Sequence, residues 1–285
     1  MGKIITYGSS FGNGLICNAY GLSYIAALET AYGATLPTTQ KEVICSTFGM
    51  ITGTGTPNES DMTSLLLTDL DSRLFLYCPF DDTTANFDAY KISTNLQTGT
   101  FNNFVSGDIG VNGISGGTGK YFDFGVSPSV FGAETAFLCY VGDNVRSSGS
   151  NDMGSSESNF SIRTGINTRN NSNNRSSFVN QSTTDNISST NSQGLYIVNR
   201  VDSSTNKVYK NGVLNQTNST GGGTGTTNNT YGHANNLGGS VDRESPRELM
   251  TLGIFSKLTD NQAEDLAYLI NYFNSNIITS GRNTY

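Results

Sequence analysis

The sequence predicts a mainly β protein, a sandwich of short strands that follows a short α-helical region and is closed by one C-terminal helix. From Arg73 onward, short β-branched and aromatic runs alternate with clusters of Gly, Asn, Ser and Pro. Such runs, with no helices between them, are typical of a sandwich or barrel rather than a βαβ fold. After Phe255 the apolar residues recur about every 3.6 positions, which indicates the closing helix.

The first quarter of the chain carries helical patterns. Apolar spacing predicts one helix over Tyr20–Tyr32, ended by Gly33, and a second over Thr39–Met50, opened by a Thr-Gln-Lys-Glu capping box. A third helix is predicted from Asp61 to Ser72, and its apolar stripe is Leu65, Leu66 and Leu70. We therefore divide the chain into a helical attachment region, residues 1–72, and a sandwich, residues 73–285.

The strands of the sandwich are predicted from composition and from the turns between them. The strongest candidates are Leu74–Tyr77, Tyr121–Val126, Thr135–Val141, Phe160–Ile166 and Leu195–Val201. The runs Gly194–Asp202 and Lys207–Leu214 are separated by turn-forming residues, which predicts a hairpin. Asn211-Gly212 then suits a tight second turn, because both residues tolerate positive φ.

The closing helix has a defined start and a defined buried face. Thr259 occupies the N-cap position and Gln262 the reciprocal position of a capping box. One face carries Ala263, Leu266, Ala267, Leu269, Ile270 and Phe273. This amphipathic helix is expected to pack on a sheet.

Three C-terminal segments also carry a family resemblance: Arg200-Val201-Asp202, Tyr209-Lys210-Asn211-Gly212 and Ile254–Thr259. From Glu59 to Ile277 the chain resembles a concanavalin A-like (laminin G-like) jelly roll, in the version found in structural proteins of tailed bacteriophages. The resemblance implies a virion protein of the decoration or fibre type, in the head or the tail. Its implied partners are copies of itself and other virion proteins.

Composition limits the classes of partner. The chain has 285 residues, a net charge of −7 and 14% charged residues, and its Lys and Arg are scattered, which disfavours a nucleic-acid partner. Neither a secretory signal nor a membrane-spanning run is recognisable. Cys17, Cys45, Cys78 and Cys139 have apolar neighbours and no metal-type spacing, so we interpret them as buried, reduced thiols, as expected for assembly in a bacterial cytoplasm.

The tract from Ser147 to Ser192 is rich in Ser, Thr and Asn. Such a composition on its own suggests disorder. If the tract is ordered, we expect its polar loops to lean on a neighbouring subunit or a large assembly; the alternative is a set of well-ordered loops on a monomer.

Enzymes on this fold need a pair of carboxylates, and the sequence shows no such pair. Asp69 and Asp71 lie in a predicted helix, and we interpret them as solvated side chains. Asp81-Asp82 follows Pro79 at a strand end, which indicates a turn. Three further acids are interleaved with Arg243 and Arg247 and predict surface ion pairs: Asp242, Glu244 and Glu248. We expect no catalytic residue, no cofactor and no metal, since there is a single histidine and no Asp-rich calcium loop.

The remaining candidate is a segment around that histidine. Tyr231, His233, Asn235 and Asn236 offer an aromatic ring together with hydrogen-bond donors and acceptors, on what reads as an exposed loop. These residues are candidate contacts to a host surface glycan. The sequence thus leaves open a glycan-binding lectin or adhesin and, less favoured, a polysaccharide-degrading enzyme.

Overall fold

The computed structural model describes residues 17–53, 61–79 and 85–277. Its α-helices are α1 Ala19–Tyr32, α2 Thr38–Ile51, α3 Ala85–Tyr90 and α4 Asp260–Asn276, with a π-helical turn at Ser64–Thr68 and 3₁₀ turns at Ser106–Asp108 and Pro128–Phe131. The strands are β1 Arg73–Leu76, β2 Thr100–Asn102, β3 Ile109–Gly110, β4 Gly113–Ser115, β5 Tyr121–Asp123, β6 Thr135–Val141, β7 Met153–Ser156, β8 Arg163–Asn167, β9 Asn174–Gln181, β10 Asp185–Ser188, β11 Gly194–Arg200, β12 Asn206–Lys210, β13 Val213–Asn218, β14 Tyr231–Gly232, β15 Asn235–Leu237, β16 Ser240–Asp242 and β17 Glu248–Ser256.

These strands form two sheets. The first sheet has the order β13-β12-β11-β6-β17-β4-β3, and β1 also pairs with β17. The second sheet has the order β10-β9-β8-β7-β14-β5-β2, with β15 pairing with both β7 and β16. Every pairing is antiparallel except that of β15 with β7. The architecture confirms the predicted β-sandwich with N-terminal helices and a closing C-terminal helix.

The molecule has three layers, because the first sheet is covered on both faces. Along β6, Ala136, Leu138 and Tyr140 join the core beneath the helices, whereas Phe137, Cys139 and Val141 join the core between the sheets. Side chains of a strand alternate between its faces, so a strand buried on both sides reads as a continuous apolar run. Helices α1, α2 and α4 supply the outer layer.

Local signals placed two helices correctly. Asn18 caps α1 by accepting a hydrogen bond from the Gly21 N–H at 2.9 Å, and Gly33 ends it with φ 64°. At α4 the Thr259 hydroxyl accepts from the Gln262 N–H at 3.1 Å, and the Gln262 side chain accepts from the Thr259 N–H at 2.9 Å. The predicted apolar face of α4 is buried, which confirms how this helix closes the fold.

The other two N-terminal predictions need correction. Helix α2 begins at Thr38 after Pro37, with no side-chain cap, so the predicted capping box at Thr39 is wrong. The predicted helix over Asp61–Ser72 contains only the π-helical turn. That turn buries Leu67 with the two preceding leucines. The backbone is already extended at Asp69, with φ −73° and ψ 111°, so Leu70 lies outside the turn and is 64% exposed.

The hairpins are confirmed, with shifts at strand ends. Strand β11 pairs with β12, and Asn211 and Gly212 have φ values of 52° and 83° in the turn between β12 and β13. The strand predicted over Tyr121–Val126 ends at Asp123, and the one predicted from Phe160 begins at Arg163. Phe160 itself has φ 56°, which is incompatible with a strand.

The polar tract from Ser147 to Ser192 forms four strands joined by ordered loops. It builds β7 to β10 of the second sheet, and many of its polar side chains hydrogen-bond within the chain. The Thr164 hydroxyl donates to Asn180 Oδ1 at 2.7 Å, and the Ser155 hydroxyl donates to the Asn228 carbonyl at 2.7 Å. The composition that suggests disorder is therefore accommodated by hydrogen bonds in place of apolar packing.

The interpretation of all four cysteines as free thiols is wrong for two of them. Cys17 and Cys45 form a disulfide, with their Cα atoms 4.7 Å apart, and it joins the segment just before the Asn18 N-cap of α1 to the middle of α2. Cys78 and Cys139 are buried and form no disulfide, as predicted. Sequence spacing could not reveal the pair, because the packing of α1 on α2 brings the two residues together.

Candidate functional site

A groove of about 500 Å³ lies beside β2, the edge strand of the second sheet. Helix α3 forms one wall, and β2 with its preceding and following turns forms the other. The groove is lined by Phe87, Asp88, Lys91, Thr98, Gly99, Thr100, Phe101 and Phe104. Its lining combines aromatic rings with a few polar groups, the usual composition of a small-molecule site.

Three phenylalanine rings form the floor of the groove. The ring centroid of Phe101 lies 5.0 Å from that of Phe87 and 5.0 Å from that of Phe104. The ring centroid of Phe101 also lies 4.7 Å from that of Phe122, which belongs to the core between the sheets. Phe101 and Phe104 themselves are only partly buried. The floor is therefore anchored in the core on one side and open on the other.

Gly99 allows the wall to approach this floor. A Cβ atom at this position would lie 2.2 Å from the Phe122 ring and 2.9 Å from the Asp123 carbonyl oxygen. No side chain fits there, so the chain enters β2 in direct contact with the aromatic cluster. The glycine is required by this close approach rather than by a turn.

The rim of the groove is polar. Lys91 Nζ lies 2.6 Å from Asp88 Oδ1, an ion pair between residues three apart at the end of α3. Thr98 and Thr100 are exposed on the opposite wall. The rim thus offers one carboxylate, one ammonium group and two hydroxyls above an aromatic floor.

The predicted glycan-contacting segment is buried, so the interpretation of it as an exposed loop is wrong. His233 and Asn235 are 0% exposed, Asn236 3% and Tyr231 7%. The reason is topological: β14 and β15 both pair with β7 inside the second sheet. Their polar side chains serve the sheet, since the Asn236 amide donates to the Asn229 carbonyl at 2.9 Å and Asn235 Oδ1 accepts from the Ser156 hydroxyl at 3.0 Å.

His233 nevertheless contacts a residue of the groove floor from its buried side. Its ring packs edge-on against Phe104, with centroids 5.2 Å apart. Its backbone is held on both sides, because its N–H donates to the Asp152 carbonyl at 2.8 Å and its carbonyl accepts from the Ser245 N–H at 2.6 Å. His233 therefore supports the floor and does not face solvent.

Below His233 lies a buried ion pair that sequence reasoning placed on the surface. Arg247 Nη1 is 2.6 Å from Asp152 Oδ1, and both side chains are 0% exposed. The other carboxylate oxygen accepts from the N–H and hydroxyl of Thr168 at 2.7 and 2.8 Å. Burial opposes ionisation of Asp152, but Arg247 and these hydrogen bonds hold its pKa below the usual value. The neighbouring pair of Asp242 and Arg243, at 3.1 Å, does lie at the surface as predicted.

The burial of His233 predicts a loss of stability in acid. Burial lowers its pKa from 6.5 to about 4; Asp152, the Arg247 backbone and Asp108 oppose this shift, and Lys120 adds to it. Between these two pH values the unfolded chain binds more protons, so stability rises with pH across this window and is lost as pH falls through it. We expect a loss on the order of 3 kcal/mol from pH 6.5 to 4. Urea unfolding at several pH values, compared with His233→Phe, measures it; equal slopes for the two proteins would assign the loss to other groups.

Two acidic side chains of the described chain, those of Asp143 and Glu248, lie close to each other. Asp143 and Glu248 are coupled, and burial together with the nearby Glu248 carboxylate raises the pKa of Asp143 to about 7. Sequence reasoning missed this pair because its members meet only through strand pairing. Neither residue lines the groove. Asp81 and Asp82 lie outside the described residues.

Among the described residues, no group of three or more His, Cys, Asp or Glu side chains is arranged to hold a metal ion. No helix in residues 17–53, 61–79 or 85–277 is long and apolar enough to cross a membrane.

The fold is similar to that of solved carbohydrate-active and carbohydrate-binding proteins, although no family model and no curated protein matches the chain. A mutant of Trypanosoma rangeli sialidase displaying trans-sialidase activity matches with a TM-score of 0.51 and 10% identity, over 82% of this chain and 38% of that chain. The CBM40 of the Ruminococcus gnavus IT-sialidase matches with a TM-score of 0.41 and 12% identity, over 54% of this chain and 95% of that one. Domain 4 of AbnA, an extracellular GH43 arabinanase from Geobacillus stearothermophilus, in complex with arabinotriose, matches with a TM-score of 0.40 and 17% identity, over 69% and 99%. At these identities the likeness concerns the fold alone: the chain is a jelly-roll β-sandwich.

Proposed function

We propose that this protein is a non-catalytic glycan-binding module whose site is the groove between α3 and β2. The observation that carries the proposal is the three-ring floor formed by Phe87, Phe101 and Phe104 beneath a polar rim. A pyranose or furanose ring has the matching two-sided chemistry. Its C–H groups pack on aromatic carbon, and its hydroxyls exchange hydrogen bonds with polar side chains at the edge.

The rim suits a neutral, polyhydroxylated ligand. Asp88 accepts hydrogen bonds, Lys91 donates them, and the Thr98 and Thr100 hydroxyls can do both. Because Asp88 and Lys91 already form an ion pair, the rim has little net charge to attract a strongly charged ligand. Asp88 is also the one carboxylate among the described lining residues, and glycoside hydrolysis uses two, which favours binding over cleavage.

Two further observations support this proposal. The sandwich fold is shared with a protein that has trans-sialidase activity, in agreement with a carbohydrate ligand. The disulfide between Cys17 and Cys45 favours a protein that works outside the reducing cytoplasm, where surface glycans are found.

Glycan-array binding, followed by calorimetric titration of the best ligand, tests the proposal. We expect Asp88→Asn combined with Thr100→Val to weaken binding at least about tenfold, since each change removes a rim group with little change of shape. Thr217→Val is the matched control, because Thr217 is equally exposed but lies on β13 of the other sheet. Failure to bind any glycan, or equal affinity of the rim variant and the control, would refute this site.

Display of the module on a phage particle, which the sequence resemblance implies, stays a prediction. Mass spectrometry and electron microscopy of particles from the source would test it. Recovery of the protein only as a free monomer, absent from any particle, would contradict the virion role and leave glycan binding untouched.

A further inference from the structure

At the edge opposite the groove, the space between the sheets becomes polar. Val179 of β9 and Val208 of β12 belong to the core between the sheets, and residues two or four positions away along these strands share their face. Asp185 lies opposite Ser177 and Asn218 lies opposite Asn206 in the strand registers. The residues gathered in this way are Arg175, Ser177, Asp185, Asn206, Lys210 and Asn218, which we name the inter-sheet polar cluster.

Four buried polar atoms of this cluster have no hydrogen-bond partner in the described protein: Arg175 Nε, Ser177 Oγ, Asn206 Oδ1 and Asn218 Nδ2. Arg175 is 2% exposed, and Ser177 and Asn206 are 0% exposed. Buried polar groups in native proteins are nearly always hydrogen-bonded. Because all four atoms occur in one cluster, a single ligand shared between them accounts for them best.

The chemistry of the four atoms indicates what kind of ligand they fit. Arg175 Nε and Asn218 Nδ2 are donors, the Ser177 hydroxyl can donate, and Asn206 Oδ1 is an acceptor. A partner with several acceptor oxygens and one O–H group would satisfy the whole set. Hydrogen phosphate and small hydroxycarboxylates have this composition.

The charge of the cluster also indicates an anionic ligand. Arg175 and Lys210 are cations, and the single carboxylate of the cluster, Asp185, already accepts from Gln181 at 3.0 Å and from Asn206 at 3.1 Å. Arg175 reaches only amide oxygens, those of Asn215 and Gln216, both at 2.6 Å. Burial, and then the nearby Arg175 charge, lower the pKa of Lys210. A bound anion would relieve this repulsion.

A third cation lies beside the cluster. Arg200 is fully buried, and its guanidinium donates to backbone carbonyls, those of Val179 at 2.6 Å and Thr220 at 2.9 Å. Gly222 packs on it so closely that a Cβ atom there would lie 2.5 Å from the guanidinium carbon. These hydrogen-bond partners of Arg200 are neutral. Burial lowers the pKa of Arg200, and the nearby Asp185 and Asp202 carboxylates oppose this shift.

We propose that the inter-sheet polar cluster binds a small oxyanion that also carries a hydroxyl, of the hydrogen-phosphate or hydroxycarboxylate class. This site is separate from the groove, because β10 and β2 are opposite edges of the second sheet. It lies at the end of the sandwich where the apolar core between the sheets is replaced by buried polar side chains, four atoms of which have no hydrogen-bond partner in the described protein. The proposal goes beyond glycan binding and does not depend on it.

Calorimetry and thermal unfolding of the full chain test this site with three salts at equal ionic strength: sodium phosphate, sodium glycolate and sodium chloride. We expect phosphate or glycolate to raise the unfolding temperature in a saturable way, and chloride to raise it less. A response to phosphate alone identifies the inorganic anion, and a stronger response to glycolate identifies the hydroxycarboxylate. A response equal to that of chloride for both salts overturns the proposal.

Two lysine variants locate the binding. Lys210→Met is expected to weaken anion binding at least about tenfold. Lys207→Met is the matched control, because Lys207 lies on the same strand but pairs with Asp260 at 2.6 Å on the other side of the sheet. Ser177→Ala, which removes one hydroxyl and little volume, should also weaken binding. Equal effects of the two lysine variants would show an adventitious ion only, and would leave the glycan result unaffected.

Discussion

Replacing Arg247 with methionine is expected to lower the free energy of unfolding by about 3–5 kcal/mol, because it leaves the Asp152 carboxylate buried without its cation. The side chains of both residues are 0% exposed, so water cannot replace the lost partner. Arg247 Nε also donates to the Val145 carbonyl at 2.9 Å, a bond that would be lost as well. Urea-induced unfolding at pH 7, followed by fluorescence and circular dichroism, measures the change.

Lys257→Met is the control for this variant. Lys257 and Glu134 form an ion pair at 2.7 Å, but their side chains are 49% and 41% exposed, so breaking it should cost only about 0–1 kcal/mol. If Arg247→Met costs no more than this control, the buried pair does not stabilise the fold as described. Asp152→Asn together with Arg247→Met should recover part of the loss, because no uncompensated charge then stays buried.

Removing the disulfide by the double change Cys17→Ser and Cys45→Ser is expected to cost about 3–4 kcal/mol, the effect of opening a loop of this length. The two cysteines are 28 positions apart, and the loop between them includes all of α1. Losing the cross-link increases the freedom of the unfolded chain more than that of the folded one. Calorimetric unfolding with and without reductant gives the difference.

A thiol count checks the pairing directly. Under denaturing conditions without reductant, two thiols per chain should react, those of Cys78 and Cys139. Four reactive thiols would contradict the disulfide. The double serine variant supplies the control, because reductant should no longer change its stability.

Predictions that rested on local chemistry were accurate. The capping box of Thr259 and Gln262 needs only neighbouring residues, and it fixed the start of α4. The apolar run of β6 was recognisable because both its faces are buried. Where a local signal had a competitor it failed, as at Thr39, whose hydroxyl is not used because α2 starts one residue earlier behind Pro37.

No local sequence signal predicted the groove between α3 and β2. The groove exists because α3 and β2 meet over the inner core, and no spacing in the sequence indicates that Phe87 and Phe101 touch. His233 was misplaced for a related reason: its Gly- and Asn-rich neighbours read as a surface loop, whereas pairing of β14 and β15 with β7 buries them. Arg247 likewise read as a surface cation, because its buried partner Asp152 is distant in the chain.

The position of β17 in the first sheet has a consequence for synthesis of the protein. This strand follows all the other strands of its sheet in the sequence, yet it lies between β6 on one side and β1 and β4 on the other. Strands β1, β4 and β6 are synthesised before β17, so the backbone N–H and C=O groups with which they pair to β17 have no partner until β17 is made. Contacts between distant parts of a chain form slowly, so we expect the first sheet to be completed only after β17 has emerged from the ribosome.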